Sequence, residues 1–322
     1  MKLYLNGETA LRYLEPARTE AGVWGETDRL TDVLLCAPSQ LKPVPCCSVT
    51  RESLRKGFTG SPARAVEQHR ALCEALAQHG VRCHFVPPAP GLPDLCFTRD
   101  ALATTPWGLV GLSPATDHRR LEVDHLLAFA EGCSAGGAGR IEHGHIEGGD
   151  ICIAREGLLI IGVSGERTDE RGARAFAQRF RDAGWDVLLC DFDPHFLHLD
   201  TIFCMINPHL ALACVDVLDD DFLAALACRG IDLLPVTYKE SRKLGCNILS
   251  VDGASVIAGA ATPRVAATMR DAGIAVTEVD VSELAACGGG VHCLTMPLRR
   301  APTLAASLGE PRMQRERLLE DS

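Results

Sequence analysis

His145-Ile146-Glu147-Gly148-Gly149-Asp150, running into Ile151-Cys152-Ile153, sets two carboxylates around a glycine pair at the start of an apolar run. Charged groups are costly to bury unpaired, so carboxylates placed here should be paired or chemically engaged. Counting outward from Glu147 finds counterparts. Fifty positions earlier is Phe97, in Leu95-Cys96-Phe97-Thr98-Arg99-Asp100, and 51 positions later is His198, in Phe196-Leu197-His198-Leu199-Asp200-Thr201-Ile202-Phe203. A further 49 positions reach Asn247, in Gly245-Cys246-Asn247-Ile248-Leu249, and another 46 reach Cys293. A recurrence in the range of roughly 20 to 50 residues marks a repeat architecture.

Each unit repeats a coarse grammar of helix, strand, polar insertion and second strand. Apolar stripes predict helices at Ala65–His79, Glu170–Ala183, Asp220–Cys228 and Pro263–Ala272, each ending near glycine. Strands are expected at Val81–Val86, Gly108–Leu112, Leu158–Val163, Asp186–Cys190, Leu210–Val215, Ile231–Pro235, Ser255–Ala258 and Ala275–Val279. Five such units arranged radially would bring one polar cluster each to a common axis. The fold class expected is therefore α/β, in a single domain over residues 26–300. Residues 1–25 read as an N-terminal extension and 301–322 as a C-terminal tail, a solvated helix or frayed end.

The last unit ends in Cys287-Gly288-Gly289-Gly290-Val291-His292-Cys293-Leu294-Thr295-Met296-Pro297. Glycines let backbone approach backbone or ligand where a side chain would collide. An ionised thiol held there is a nucleophile, whereas a buried one is packing. The chain has 15 cysteines, so the thiol's company has to decide. His198 and Asp200 would share one face of an extended segment. By the same alternation, His292 would face away from Cys293 and is not expected to act as its base. Asn247 is in phase with the other clusters, either as part of the site or as a turn residue.

Composition narrows the classes. The apolar fraction of 47% supports a sizeable core, and the net charge of −10 argues against a nucleic-acid or anionic-membrane surface while suiting a cationic substrate. Met1–Glu20 lacks the apolar centre of a signal peptide, and no apolar run approaches the ~20 residues of a membrane span. A cytoplasmic protein with reduced thiols is expected. No cysteine pair shows the two-to-four-residue spacing of structural zinc, so no metal and no cofactor are expected. No G-x-S-x-G elbow is present for serine hydrolysis.

The signatures Phe97-Thr98-Arg99-Asp100, Glu147-Gly148-Gly149-Asp150, His198-Leu199-Asp200-Thr201 and Gly288-Gly289-Gly290-Val291-His292-Cys293 together resemble the guanidino-group-modifying superfamily. It contains arginine deiminases, arginine dihydrolases, dimethylarginine dimethylaminohydrolases and amidinotransferases. The resemblance runs from about Leu30 to Arg300. It implies a five-bladed, pseudo-fivefold α/β propeller (pentein-like) and a small-molecule guanidino substrate, with homo-oligomerisation left open.

The resemblance also implies roles. Cys293 is the nucleophile that forms a thiouronium intermediate, His198 the acid and base, and Glu147 its orienting partner. Asp100 and Asp200 clamp the guanidinium, and Asp150 supports them from behind. Gly162-Val163-Ser164-Gly165-Glu166-Arg167-Thr168 is similar to a segment whose arginine grips a carboxylate, with Gly165 as an apparent insertion. Arg167 is thus a carboxylate anchor or a surface residue at a helix start, and Arg299 and Arg300 are further anchors. The Glu-Gly-Gly-Asp motif and the aspartate after His198 favour the deiminase and dihydrolase side. The function implied is hydrolysis of a guanidino C–N bond of arginine or an N-substituted arginine. Amidino transfer to an acceptor amine and an inactive propeller that binds or regulates are the alternatives.

Overall fold

The most apolar runs of the chain become the middle strands of its sheets. Leu158–Val163 reads Leu-Leu-Ile-Ile-Gly-Val with its first five residues buried, and a strand this apolar has to be covered on both faces. In the computed structural model, which describes residues 22–133 and 137–301, it lies antiparallel to Ile151–Arg155 and parallel to Asp186–Asp191.

The same three-stranded plan recurs. Gly108–Gly111 pairs antiparallel with Leu102–Thr105 and parallel with Gly137–Arg140. Leu210–Ala213 pairs in that way with Phe203–Asn207 and Asp232–Pro235, and Ser255–Gly259 with Leu249–Ser250 and Ala275–Val279. The remaining sheet joins the two ends of the described chain. Arg29–Cys36 is antiparallel to Met296–Ala301 and parallel to Arg82–Val86. Ahead of it, Gly22 bridges Arg299. Five three-stranded sheets thus make up the described β-structure.

A parallel pair needs a crossover, usually a helix. The five crossovers carry Pro62–Gln78, Asp117–Cys133, Glu170–Asp182, Asp220–Cys228 and Pro263–Asp271. Their starts are written locally. Ser61 caps the first, with Pro62 in its opening turn, and Asp169 caps the third by accepting from Gly172 N at 2.7 Å. The helix Asp117–Cys133 is absent from the sequence expectations, although Val123, Leu126, Leu127 and Ala130 are buried at helical spacing. Apolar residues of successive sheets pack together, as Ile160, Met205, Leu212 and Val256 do in one cluster. Among the described residues no helix is long and apolar enough to cross a membrane, and every described cysteine is free.

The frame gives the 50-residue recurrence its structural meaning. Asp100, Glu147, His198, Asn247 and Cys293 each lie just before the first strand of a sheet. His198 and Asp200 do not lie on an extended segment, as the sequence had suggested. His198 caps a single 3-10 turn, Leu199–Thr201, and Glu147 caps the equivalent turn, Gly148–Asp150. Residues two apart in such a turn diverge, so His198 and Asp200 face different partners. Cys293 likewise sits in a turn before Met296–Ala301, not in a strand. Ala301, expected in the tail, ends the strand Met296–Ala301, while residues 302–322 and residues 1–21 of the expected extension lie outside the described residues.

Candidate active site

Each of these strand entries is short and polar, and their side chains meet in the interior. A cavity of about 20 Å³ is lined by Cys293, His198, Asp100, Arg119, Arg167 and Phe97, with the Cys46-Cys47 segment across it. Cys293 is buried; its Sγ donates to Asp200 Oδ2 at 3.3 Å and accepts from Asn247 Nδ2 at 3.2 Å. His198 Nε2 lies 2.7 Å from Glu147 Oε2, and its Nδ1 is 3.8 Å from Asp100 Oδ1. That nitrogen, Asp100 Oδ1 and Asp200 Oδ1 are buried without a hydrogen-bond partner. Unpartnered buried polar atoms are rare, so three around one thiol mark a place shaped for a ligand.

Glycines permit two of the approaches. A Cβ on Gly149 would stand 2.7 Å from His198 Cγ, and one on Gly290 would stand 2.5 Å from Asn247 Oδ1. Gly149→Ala should therefore push the imidazole aside. A misplacement of about 1 Å can cost about 100-fold in rate, so kcat should fall by that order with the fold retained. Circular dichroism and turnover, measured together, check this.

The charges are arranged in opposed pairs. Arg119 Nη1 donates to Asp100 Oδ2 at 2.6 Å, its Nε donates to Glu122 Oε2 at 3.0 Å, and its Nη2 donates to the Phe97 carbonyl. One oxygen of Asp100 is thus held while the other stays free. Arg167 Nη1 straddles both oxygens of Glu147 at 3.2 and 3.1 Å, and its Nη2 donates to the Cys46 carbonyl. Burial alone would lower the pKa of His198, but Asp100, Asp150 and Glu147 outweigh it and raise it to about 10. Glu147 is pushed up by burial and pulled further down by Arg167 and His198, ending below the usual carboxylate range. Burial, then Asp200 and Asp100, push the Cys293 thiol well above its ordinary value. The resting site therefore holds a thiol, an imidazolium and carboxylates.

Several residues stand elsewhere than the sequence suggests. Arg167 is not a surface residue: it lines the cavity, buried, with its guanidinium on Glu147. Asn247, expected near the substrate, instead touches the nucleophile; its Oδ1 also accepts from His292 N at 3.0 Å. Asp150 accepts from Thr168 Oγ1 at 2.6 Å and Leu199 N at 2.8 Å, fixing the turn that carries His198. Asp200 backs the thiol from outside the cavity lining. His292 and Cys293 do not point to opposite faces as strand alternation would have them: both reach Asp200 Oδ2, His292 Nδ1 at 2.8 Å and Cys293 Sγ at 3.3 Å, and the other His292 nitrogen joins Glu26. Arg299 and Arg300 do not line the cavity. Arg119, Glu26 and Glu122 were missed: Arg119 and Glu122 pair within a helix absent from the expected elements, and Arg119 and Glu26 reach segments with no shared motif.

Donor atoms of Asp100, Glu147 and His198 lie within 4.8 Å of one another, but two guanidiniums already face these carboxylates. A divalent cation would have to sit beside both, so this cluster does not fit a metal. The site suits instead an organic cation with N–H groups and an electrophilic carbon.

Residues 49–300 match the family described as N,N dimethylarginine dimethylhydrolase, eukaryotic. The chain belongs to this family. Membership of the dimethylarginine hydrolase family places it in the guanidino-modifying superfamily, among hydrolases of guanidino C–N bonds. YkgA of Bacillus subtilis, an uncharacterised relative, is 29% identical over 286 residues, covering 88% of this chain and 94% of its own. The N(G),N(G)-dimethylarginine dimethylaminohydrolase of Pseudomonas aeruginosa is 27% identical, covering 76% and 93%. The N-terminal domain of ArgZ, a cyanobacterial arginine dihydrolase, superposes with a TM-score of 0.74 at 21% identity, covering 84% of this chain and 98% of that domain. This last likeness concerns the α/β fold alone.

Proposed function

We propose that the protein hydrolyses a guanidino C–N bond of arginine or an N-substituted arginine, giving citrulline and ammonia or an amine. The observation that carries this reading is one buried cavity holding a thiol beside the unpartnered Asp100 Oδ1 and His198 Nδ1. In this reading the five sheets are the blades of a pseudo-fivefold propeller, each delivering one strand entry to the axis.

The guanidinium enters beside Asp100, whose free oxygen accepts its N–H groups, while Asp200 stands behind the thiol. The positive charge of the substrate offsets the two carboxylates that keep the thiol protonated, so Cys293 gives up its proton to solvent as substrate binds. The Sγ–Cζ bond forms, and the departing nitrogen takes its proton from His198 Nδ1 as its bond to Cζ breaks. Water then adds to the thiouronium carbon, giving a proton to His198. Loss of the thiolate leaves the ureido product. Glu147 holds the imidazole through Nε2 so that Nδ1 faces the reaction, and Arg167 holds Glu147. The cavity of about 20 Å³ has room for about a water molecule, so its lining has to open to admit substrate.

The test is mass spectrometry of purified protein incubated with arginine, methylated arginines, agmatine, or arginine plus glycine. Citrulline with ammonia or methylamine is expected. Ornithine with two ammonia would indicate dihydrolysis, ornithine with guanidinoacetate would replace hydrolysis by transfer, and no product from any of them would remove the reading.

A further inference from the structure

Arg99, in the signature Phe97-Thr98-Arg99-Asp100, takes no part in the proposed chemistry, yet it is buried. It lines a second cavity, of about 40 Å³, together with Arg300, Glu26 and Thr104. No residue of this cavity lines the catalytic one. Arg99 Nε donates to the carbonyls of His292 and Thr295, both at 3.0 Å. Arg300 Nη1 donates to the carbonyls of Asp28 and Ser250 at 2.6 and 2.9 Å. Arg99 Nη2, Arg300 Nε and Arg300 Nη2 are buried without a hydrogen-bond partner. We propose that Arg99 and Arg300 bind a small monoanion of chloride size in this cavity.

The charges favour an anion over water. A guanidinium keeps its charge in a protein and offers only donors. The charged residues of the lining are two guanidiniums and one carboxylate, Glu26. Burial would raise the pKa of Glu26, but His292, Arg99 and Arg300 outweigh it and lower it to about 2. Glu26 is therefore ionised, and it is bonded to His292. The lining still carries one positive charge in excess. Burial pulls Arg300 down to about 10 although Glu26 and the half-buried Asp28 oppose it, as befits a buried cation short of counter-charge. An uncompensated buried charge is costly. A water would bring two hydrogens of its own into a lining rich in donors, whereas a halide accepts from all three free nitrogens and supplies the missing charge. A water needs about 10–15 Å³, so about 40 Å³ admits one larger ion but no substrate-sized molecule.

The position decides the consequence. Arg99 clasps the turn that carries the nucleophile, since its backbone N also donates to the Cys293 carbonyl at 3.3 Å. Glu26 reaches the same turn through His292, which joins Asp200, the acceptor of the Cys293 thiol. An anion that fixes the Arg99 guanidinium thus stabilises this turn without entering the cavity that takes the substrate.

Occupancy and unfolding are read without turnover, so this proposal can fail while the hydrolase reading stands. Crystals grown in bromide should show one anomalous peak among Arg99 Nη2, Arg300 Nε and Arg300 Nη2. In solution, protein exchanged into gluconate is titrated with chloride at constant ionic strength. At ten times the Kd, chloride should raise Tm by about 3–6 °C, as expected for a ligand that binds only the folded chain. Arg300→Met should lose both the peak and the chloride-dependent gain. Arg300→Lys keeps the charge but not the fork of donors, and should bind chloride about 10-fold more weakly, the worth of one hydrogen bond to a charged group. If Arg300→Met does not fold, Arg300→Lys carries the test. A cavity without bromide would overturn the proposal. So would a chloride gain in the Arg300 variants as large, and at the same concentration, as in wild type.

Discussion

Cys293→Ser should lose turnover by at least about 10⁴-fold, because removing a nucleophile from a catalytic unit typically costs that much or more. The guanidinium carbon is planar and resonance-stabilised, and a hydroxyl has far less access to its anion than a thiol does. Burial together with Asp200 and Asp100 already keeps Cys293 protonated until a cation arrives. A serine, harder still to ionise, would stay neutral. The serine hydroxyl can still donate to Asp200 and accept from Asn247, the two contacts of the thiol. Stability should therefore change by no more than about 1 kcal/mol, which separates a chemical loss from a folding one. Acid-quenched wild type should carry on the Cys293 peptide the mass of the substrate less the departing ammonia or amine, and the variant should not. Residual turnover above a hundredth of wild type would show that another group attacks.

The spacing of the motifs was readable because every site residue enters its sheet at the same place. Glu147 and His198 illustrate it: 51 positions apart, they each cap a 3-10 turn ahead of a first strand. Their identity as a pair was legible, but their local conformation was not, since a three-residue turn has no hydrophobic period to read. The strand Gly137–Arg140 was invisible for a related reason, being four residues long with two glycines. Charge partners were hardest. Arg167 was legible as a functional arginine, yet its commitment to Glu147 depends on how Leu158–Val163 runs past the Gly148–Asp150 turn. Arg119 had no motif, and its grip on Asp100 follows from a helix missing from the expected elements. Sequence repeats place groups on a common axis, but they do not say which neighbour neutralises each.

Glu147→Gln should show most directly what that neutralisation contributes. The carboxylate takes Arg167 at 3.1 Å and His198 at 2.7 Å, all three buried. Glutamine keeps the shape and removes the charge, leaving a buried guanidinium without its counter-ion. Breaking one side of a buried pair costs about 3–5 kcal/mol, a large share of the roughly 5–15 kcal/mol that holds a domain together. The pH dependence has a definite sign. His198 is raised to about 10 in the folded protein, above the roughly 6.5 of a free imidazole. Its contribution to stability is complete below about 6.5 and lost as pH rises through about 10. Glu147 is lowered instead, so its contribution is present above its ordinary pKa and lost on acidification. The imidazolium that protonates the leaving nitrogen is lost through the same range, which sets the basic limb of kcat. Glutamine withdraws one of the three carboxylates that hold the proton, so that limb should move to lower pH. Asp100 and Asp150, which remain, should keep it above a free imidazole. Urea unfolding at several pH values, with kcat profiles alongside, measures both effects. An unmoved basic limb in a folded variant would show that Glu147 does not govern the proton on His198.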